Sequence, residues 1–244
     1  MRAEIEPIAG TPPRQVSLPR FSVRVTYLLI GMNLIIFALD MLLERALTIH
    51  GALVPGLVIV YGHWHRLIIA GFLHADLTHI LFNLYAFLAL GSLLERFAGQ
   101  QRLLIVYSLS LLGCSVLVTL FSDFHTPTVG ASGAIMGVLG ALIVFFWHYR
   151  DLLVGGKGYL GQLGRMALIN IGIGLLPGIS WWGHLGGFLA GIATGWVLLP
   201  HYVQAEWLSA ELKLQPLERS ARLRILLLLI GQLVLLLLGF RWRG

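Results

Sequence analysis

Two polar residues stand at the start of glycine-rich apolar stretches, and their types suit acyl-transfer chemistry. Ser132 lies in a Gly-Ala-Ser-Gly run that begins at Gly130, and His184 is followed by Leu-Gly-Gly. A serine hydroxyl is a weak nucleophile until a positioned base removes its proton, and histidine is suited to that task at neutral pH. Backbone N–H groups at a helix start can also stabilise an oxyanion. We therefore predict Ser132 as a nucleophile and His184 as its base.

A second pair of polar residues opens another apolar stretch. His79 and Asn83 are four residues apart, so on a helix they face the same way. Both side chains can donate hydrogen bonds to a developing oxyanion. We predict that they support the reaction of Ser132.

The acidic residues offer no evident third catalytic member. Asp76 and Asp123 lie between apolar runs, and Asp40 is near the end of the first run. The sequence therefore predicts a Ser-His dyad. The single cysteine, Cys114, lies within an apolar run and is interpreted as a packing residue that can form no intramolecular disulfide.

The composition indicates that lipid is the main solvent of the elements that carry these residues. Apolar residues make up 57% of the 244-residue chain and charged residues 11%, whereas soluble domains carry roughly 25% charged residues. Crossing a bilayer as a helix takes ~20 apolar residues. We predict an all-α transmembrane bundle with seven spans, at about 25–43, 79–94, 103–120, 131–147, 163–179, 184–199 and 223–240. The second, fifth and sixth spans are expected to be short.

Small residues indicate which of these spans touch. In the fourth span one face is formed by Gly133, Gly137, Gly140 and Ala141, and in the sixth span one face is formed by Gly187, Gly191 and Gly195. Close packing in lipid requires such small residues. Because His184 shares a face with Gly187 and Gly191, contact between the two spans is expected to bring its imidazole towards Ser132.

The basic residues indicate the orientation. The net charge is +6, but Lys and Arg fall in short segments between apolar runs, so they are topology signals and no nucleic-acid partner is expected. With a cytoplasmic N-terminus, 13 of the 17 lie on the cytoplasmic side and only Arg45, Arg66, Arg241 and Arg243 lie outside. Both catalytic candidates then face the extracytoplasmic side. The segment 44–78, with Trp64, is expected to lie partly in the outer interface.

Two other readings of the polar residues remain open. The histidines of the segment before the second span could form a metal site: His63, His65, His74 and His79. Their spacings do not match a His pair at i, i+4 with an intervening Glu, and no cysteine joins them, so no metal and no cofactor are predicted. Asn170 and Arg165 in the fifth span could instead line a transport path, although Arg165 is near the cytoplasmic end and inverted repeats are not found.

The motifs together resemble those of the rhomboid family. The stretch Gly-Phe-Leu-His ending at His74, followed by His79-Ile-Leu-Phe-Asn83, is similar to the family's FLHxxxxHLLFN pattern, and Gly91 with Glu95 is similar to its GxxxE element. The runs around Ser132 and His184 resemble the nucleophile and base motifs. The resemblance extends from about Gly62 to Leu198.

The resemblance implies a role for each matching position. It implies Ser132 as nucleophile, His184 as general base and acid, and His79 and Asn83 as oxyanion contributors. Structural support is implied at Arg66, His74, Glu95, Gly130, Gly133, Met136, Gly187 and Gly191. Two departures stand out: His65 takes the Trp position of a Trp-Arg pair, and Met136 stands four residues after the nucleophile where many members have an aromatic residue.

The expected function is intramembrane serine proteolysis. It would act on single-span membrane proteins, with residues 1–24 as a cytoplasmic polar tail without signal-peptide features, 25–200 as a six-helix catalytic core, 201–222 as a cytoplasmic linker and 223–244 as an additional transmembrane helix. The expected location is the prokaryotic plasma membrane. The rival interpretation is a non-catalytic rhomboid-like protein that binds membrane helices, although such a protein would be expected to lack the serine or the histidine.

Overall fold

The fold is described by a computed structural model that covers residues 20–243 except 152, 154, 177 and 205–211. Most of the predicted tail, residues 1–19, lies outside this range, as does part of the predicted linker. The described chain is helical, which confirms the predicted all-α class. The exception among the described residues is one short antiparallel ladder of strands β1 (Tyr202–Gln204) and β2 (Leu212–Leu214), apart from an isolated bridge between Leu53 and Thr128.

Ten α-helices follow one another along the described chain. In chain order their bounds are α1 Val25–Leu42, α2 Ala46–Gly51, α3 Pro55–Tyr61, α4 Arg66–Ile69, α5 Leu77–Ala98, α6 Gln100–Phe121, α7 Ser132–Tyr149, α8 Gly156–Ile173, α9 Trp181–Val197 and α10 Arg219–Arg243. A 3-10 turn, Ala70–Phe72, follows α4. The seven long helices correspond to the seven predicted spans.

Five of the long helices are long and apolar enough to cross a membrane, namely α1, α5, α6, α7 and α10. Helix α9 has 17 residues, and α8 has 18 but is interrupted by polar residues and glycines. Helix α9 is thus the shortest of the seven long helices, as predicted for the sixth span, whereas α8 is as long as α1 and α7, so the prediction that the fifth span is short is wrong. The prediction for the second span is wrong, because α5 has 22 residues and extends into polar residues at both ends.

The fifth span is also displaced from its predicted position. Helix α8 begins at Gly156 and ends at Ile173, seven and six residues before the predicted bounds of 163–179. Its C-cap is Gly174, and Pro177 comes soon afterwards in the sequence. A proline cannot continue a helix, so the apolar run outlasts the helix.

Helices α6, α7 and α9 form the centre of the bundle. The main apolar core contains buried side chains of α5, α6 and α7, among them Phe87, Tyr107, Leu142, Phe145 and Phe146. The segment 44–78 holds α2, α3, α4 and the 3-10 turn, and it packs on the C-terminal half of α6 through Leu53, Val58 and Leu67. Because α7 and α9 run in the same direction in the bundle, their first residues lie at the same end.

Candidate active site

Ser132 and His184 lie in contact at the first turns of α7 and α9. The distance between Ser132 Oγ and His184 Nε2 is 3.0 Å, which is a hydrogen bond. Ser132 is the first residue of α7. Helix α9 begins three residues before His184, because Ser180 caps it and accepts a hydrogen bond from the N–H of Gly183 at 3.2 Å. The cap therefore places His184 within the first turn, and the imidazole is 8% exposed.

The contact between α7 and α9 is made by backbone against backbone. A Cβ atom at Gly187 would lie 1.9 Å from the carbonyl oxygen of Gly133, and one at Gly191 would lie 2.0 Å from that of Gly137. Real Cβ atoms do not approach oxygen so closely, so only glycine fits at both positions. This confirms the predicted packing of the two glycine faces and explains why the hydroxyl and the imidazole meet.

No carboxylate completes a triad among the described residues. Nδ1 of His184 is buried and makes no hydrogen bond to a side chain among the described residues. Asp40 instead accepts from Thr48 and pairs with Arg45 at 3.2 Å. Asp76 caps α5, and Asp123 accepts from the N–H of His125. The geometry is that of a pair.

His79 and Asn83 lie beside the loop that leads to Ser132. Nδ1 of His79 is within 3.4 Å of the N–H of Ala75, which can donate to it. With Nδ1 as acceptor, the proton of a neutral imidazole is on Nε2, so Nε2 is a donor. Nε2 lies 2.8 Å from where a Cβ of Gly130 would be, and Asn83 Nδ2 lies 3.9 Å from it. One hydrogen of the Asn83 amide is used by the carbonyl of His79 at 2.9 Å, which leaves the other free to donate.

Gly130 holds the approach to Ser132 in a conformation that other residues rarely adopt. Its φ is +124°, and the His79 ring occupies the space of a side chain. Its N–H donates to the carbonyl of Ala70 at 2.9 Å. The loop before α7 is thus tied to the segment 44–78, which precedes α5.

Arg66 and His74 are buried within the segment 44–78 and hold it together. The guanidinium of Arg66 is 4% exposed and donates to the carbonyls of Ile49 and Ala52. The His74 ring is 1% exposed and packs edge-on against His79, with 5.2 Å between ring centroids. Burial, together with the neighbouring His79, lowers the pKa of His74 to about 4. His74 is therefore neutral at physiological pH.

Glu95 lies far from the dyad and joins two helices. Its carboxylate accepts hydrogen bonds at 2.8 Å from the N–H groups of Arg24, Val25 and Thr26, and one at 2.7 Å from the Thr26 hydroxyl. It thereby satisfies the free N–H groups at the start of α1. Met136, the other unusual position, is buried in α7 one turn after Ser132.

The four histidines considered as a metal site fall into two pairs. The ring centroids of His63 and His65 are 5.6 Å apart, and His74 contacts His79. Arg66 Nε donates to His63 Nδ1 at 3.4 Å. Across the described residues no group of three or more His, Cys, Asp or Glu side chains is placed to hold a metal ion.

Two residues at this site were missed by sequence reasoning. Ser180 caps α9, and the Ser-x-x-Gly pattern before the apolar run is a weak signal that could have indicated it. Cys114, interpreted as a packing residue, lies directly behind the dyad between α7 and α9. No spacing in the sequence indicates that position, because it depends on how three helices cross.

The helical bundle and the Ser-His pair together define a polytopic membrane protein with the groups of a serine hydrolase at one end of its core. A family model, the Rhomboid domain, matches residues 61–201. The chain belongs to the rhomboid family, and it is an integral membrane protein. The match confirms the predicted extent of the resemblance, about residues 62–198.

Curated relatives from a plant, a bacterium and a fungus are similar to the chain. RHOMBOID-like protein 4 of Arabidopsis thaliana is 34% identical over 139 residues, which cover 56% of this chain and 35% of the plant protein. Rhomboid protease GluP of Bacillus subtilis is 33% identical over 175 residues, or 68% of this chain and 33% of the relative. Rhomboid-type serine protease 2 of Emericella nidulans is 34% identical over 138 residues, which cover 54% of this chain and 26% of the fungal protein. The chain spans between about a quarter and a half of the length of these and similar relatives.

Proposed function

We propose that the protein is an intramembrane serine endopeptidase that cleaves peptide bonds in or next to transmembrane helices of membrane-protein substrates. The observation that carries the proposal is the 3.0 Å contact between Ser132 Oγ and His184 Nε2 at the ends of two glycine-faced helices. Relatives named as a rhomboid protease and a rhomboid-type serine protease support it.

The chemistry follows from the atoms that meet. His184 Nε2 removes the proton of the Ser132 hydroxyl, and Oγ attacks the scissile carbonyl to form a tetrahedral oxyanion. The imidazolium then gives its proton to the leaving amine, and an acyl-enzyme remains on Ser132. A water molecule, deprotonated by the same imidazole, releases the acid and restores the enzyme. Because no carboxylate partner of His184 is found among the described residues, we propose a Ser-His dyad.

Three groups of the site can stabilise the oxyanion. The Nε2 proton of His79 and the free amide hydrogen of Asn83 border the loop before Ser132, and the backbone N–H groups of the first turn of α7 have no helical partner. These donors are fixed in place before reaction, so they need no reorganisation when charge develops.

A helical substrate must unwind before Ser132 can reach a carbonyl, because its carbonyls are bonded within the helix. Single-span proteins with helix-weakening residues at the cut are therefore the proposed substrates. The distribution of Lys and Arg supports a cytoplasmic N-terminus and a site that opens to the extracytoplasmic side. A prokaryotic plasma membrane is the proposed location.

The test is cleavage of a single-span model substrate in proteoliposomes. We expect Ser132→Ala and His184→Ala each to lose at least about 10³-fold in turnover, and the double variant to be no worse than either, since the two groups act as a unit. A serine-directed phosphonate probe should label Ser132 in the wild type.

Ser108→Ala is the control, since it removes an exposed serine hydroxyl on α6 that makes no contact with the dyad. It should keep the stability and the turnover of the wild type. Equal cleavage by wild type and Ser132→Ala would refute the catalytic role. An intact fold with no cleavage and no labelling of wild type would favour a non-catalytic helix-binding protein instead.

The oxyanion assignment has its own test. Asn83→Ala should lower kcat by about 10²-fold with little change in KM. Asn33→Ala is the matched control, because Asn33 is also buried and makes the same bond to the carbonyl four residues earlier, at 2.7 Å. If Asn33→Ala lowers kcat as much as Asn83→Ala does, Asn83 has only a packing role.

A further inference from the structure

Cys114 lies where α6, α7 and α9 meet, at the level of the dyad. A Cβ atom on Gly133 would lie 2.4 Å from the Cys114 sulfur, and one on Gly183 would lie 3.2 Å from it. The side chain is 7% exposed. The sulfur therefore contacts the backbone of α7 on one side and of α9 on the other.

The two glycines that the sulfur contacts are the chain neighbours of the proposed catalytic residues. Gly133 follows Ser132, and Gly183 precedes His184. They also lie close to each other, because a Cβ on Gly133 would be 3.2 Å from the Gly183 carbonyl oxygen. The sulfur thus fills the space between the first turn of α7 and the first turn of α9, next to the contact between Ser132 Oγ and the His184 imidazole.

We infer that Cys114 is a positioning residue whose side-chain volume sets the separation of Ser132 Oγ and His184 Nε2. The inference rests on the proposed function of the dyad. Glycine backbones have no rotamer with which to yield, so a larger side chain at position 114 must displace the first turn of α7 or of α9, where Ser132 and His184 lie. A smaller one removes the contact that holds them apart, and close-packed interiors transmit such changes.

In this arrangement the thiol acts through its volume and its packing, and it does not take part in the reaction. The thiol is enclosed by three helices and faces glycine backbone, so it has no access to substrate. A substitution of nearly equal size should therefore replace it. Serine at position 114 keeps one heavy atom beyond Cβ, and its hydroxyl can bond a carbonyl of its own helix.

Ser110 provides a matched control one turn deeper in the same junction. It is fully buried on α6, and a Cβ on Gly137 would clash with its hydroxyl oxygen at 1.9 Å. Enlarging Ser110 therefore crowds α7 much as enlarging Cys114 does. It does so away from Ser132 and His184.

The experiment compares Cys114→Ser, Cys114→Ala, Cys114→Val and Ser110→Val in proteoliposomes. The readouts are kcat, KM, the rate of Ser132 labelling by a small phosphonate, and the unfolding temperature. We expect Cys114→Ser to keep kcat within about threefold of wild type, Cys114→Ala to lose about 3-fold to 10-fold, and Cys114→Val to lose about 10²-fold, because a displacement of 1 Å has that cost. KM should stay within about threefold, and labelling should fall in parallel with kcat.

Ser110→Val should lower the unfolding temperature as much as Cys114→Val does while keeping kcat and labelling within about fivefold of wild type. Equal losses of kcat in the two valine variants at equal unfolding temperature would overturn the inference. If Cys114→Val does not fold, unchanged kcat in Cys114→Ala would overturn it as well. Wild type that fails to cleave, or Ser132→Ala that cleaves, would instead remove the proposed function.

Discussion

Helices α6 and α7, which surround the candidate site with α9, differ from the C-terminal helix α10 in how they meet their neighbours. In the most apolar stretch of α6 and of α7, 72% of the residues are buried, against 11% in α10. The central helices meet through glycine backbone. Helix α10 presents leucines to lipid and is attached at a few points: Gln232 donates to the carbonyl of Leu109, and Arg243 donates to those of Thr119 and Ser122.

The difference shows what specifies packing in a bilayer. Lipid tails are as apolar as leucine, so burying leucine against leucine gives little net gain. Close approach of backbones and satisfied polar groups must supply the specificity. By this argument a single methyl group in the core should matter more than any one contact of α10.

The largest effect is expected from Gly191→Ala. The new Cβ would lie 2.0 Å from the Gly137 carbonyl oxygen and 2.3 Å from its Cα, and backbone cannot rotate away. We expect a loss of about 3 kcal/mol of unfolding free energy in detergent. Gly231→Ala in α10 is the control, because nothing lies within 4 Å of its Cβ position, so the variant should lose no stability, and the higher helix propensity of alanine favours a small gain. Similar losses in both variants would erase the distinction between the two regions.

The burial of His74 beside the core predicts a pH dependence that α10 does not share. With its pKa lowered to about 4, folded His74 stays neutral while the unfolded side chain takes up a proton below pH ~6.5. The unfolded state then binds more protons than the folded state. The part of the unfolding free energy that comes from His74 is therefore fully present above pH ~6.5 and is lost as the pH falls towards 4, by on the order of 2 kcal/mol. Unfolding of wild type and His74→Gln at pH 7.5 and 4.5 should show a smaller pH effect in the variant.

His125→Gln is the control for that measurement, since His125 is exposed in the loop between α6 and α7. It should keep the pH dependence of the wild type. An equal pH effect in wild type and His74→Gln would show that other groups cause the acid sensitivity.

A third prediction concerns the bond between α5 and α1. Glu95 is fully buried and accepts four hydrogen bonds from the start of α1. Glu95→Gln keeps the size but turns an amide N–H₂ towards N–H donors, so we expect a loss of about 2 kcal/mol in the unfolding free energy. Glu44→Gln changes an exposed glutamate after the other end of α1 and should be nearly neutral. A neutral Glu95→Gln would mean that α1 is held by apolar contact alone.

The helices and the central pair could be predicted from the sequence because both depend on local pattern. Seven apolar runs predict seven long helices, and the regularly spaced glycines that follow Ser132 and His184 in the sequence predict which helices pack against each other. The bounds were less accurate where polar residues continue a helix, as at Lys157 in α8 and Arg219 in α10, because hydropathy marks the apolar stretch and not the helix.

Other parts of the site depend on contacts between distant segments. The family resemblance implies a structural role for Glu95. It does not indicate the hydrogen-bond partners of Glu95, which lie about 70 residues earlier in the sequence, at the start of α1. The short helices of the segment 44–78 are held by Arg66 through backbone carbonyls, and any residue supplies a carbonyl. The sequence predicts only packing for Cys114, because an isolated cysteine in an apolar run has no spacing that would indicate a further role.

The smallest effect is expected from Gln232→Leu in α10. The side chain donates one hydrogen bond, at 3.0 Å, to the carbonyl of Leu109, while its Oε1 is buried without a partner among the described residues. Leucine loses the bond but also removes the unsatisfied oxygen, and these contributions oppose each other. Interhelical hydrogen bonds in membranes average about 0.6 kcal/mol, so we expect a loss below about 1 kcal/mol and unchanged kcat. A tenfold loss of kcat would show that α10 takes part in holding α6 against the dyad, and the two regions would then act as one.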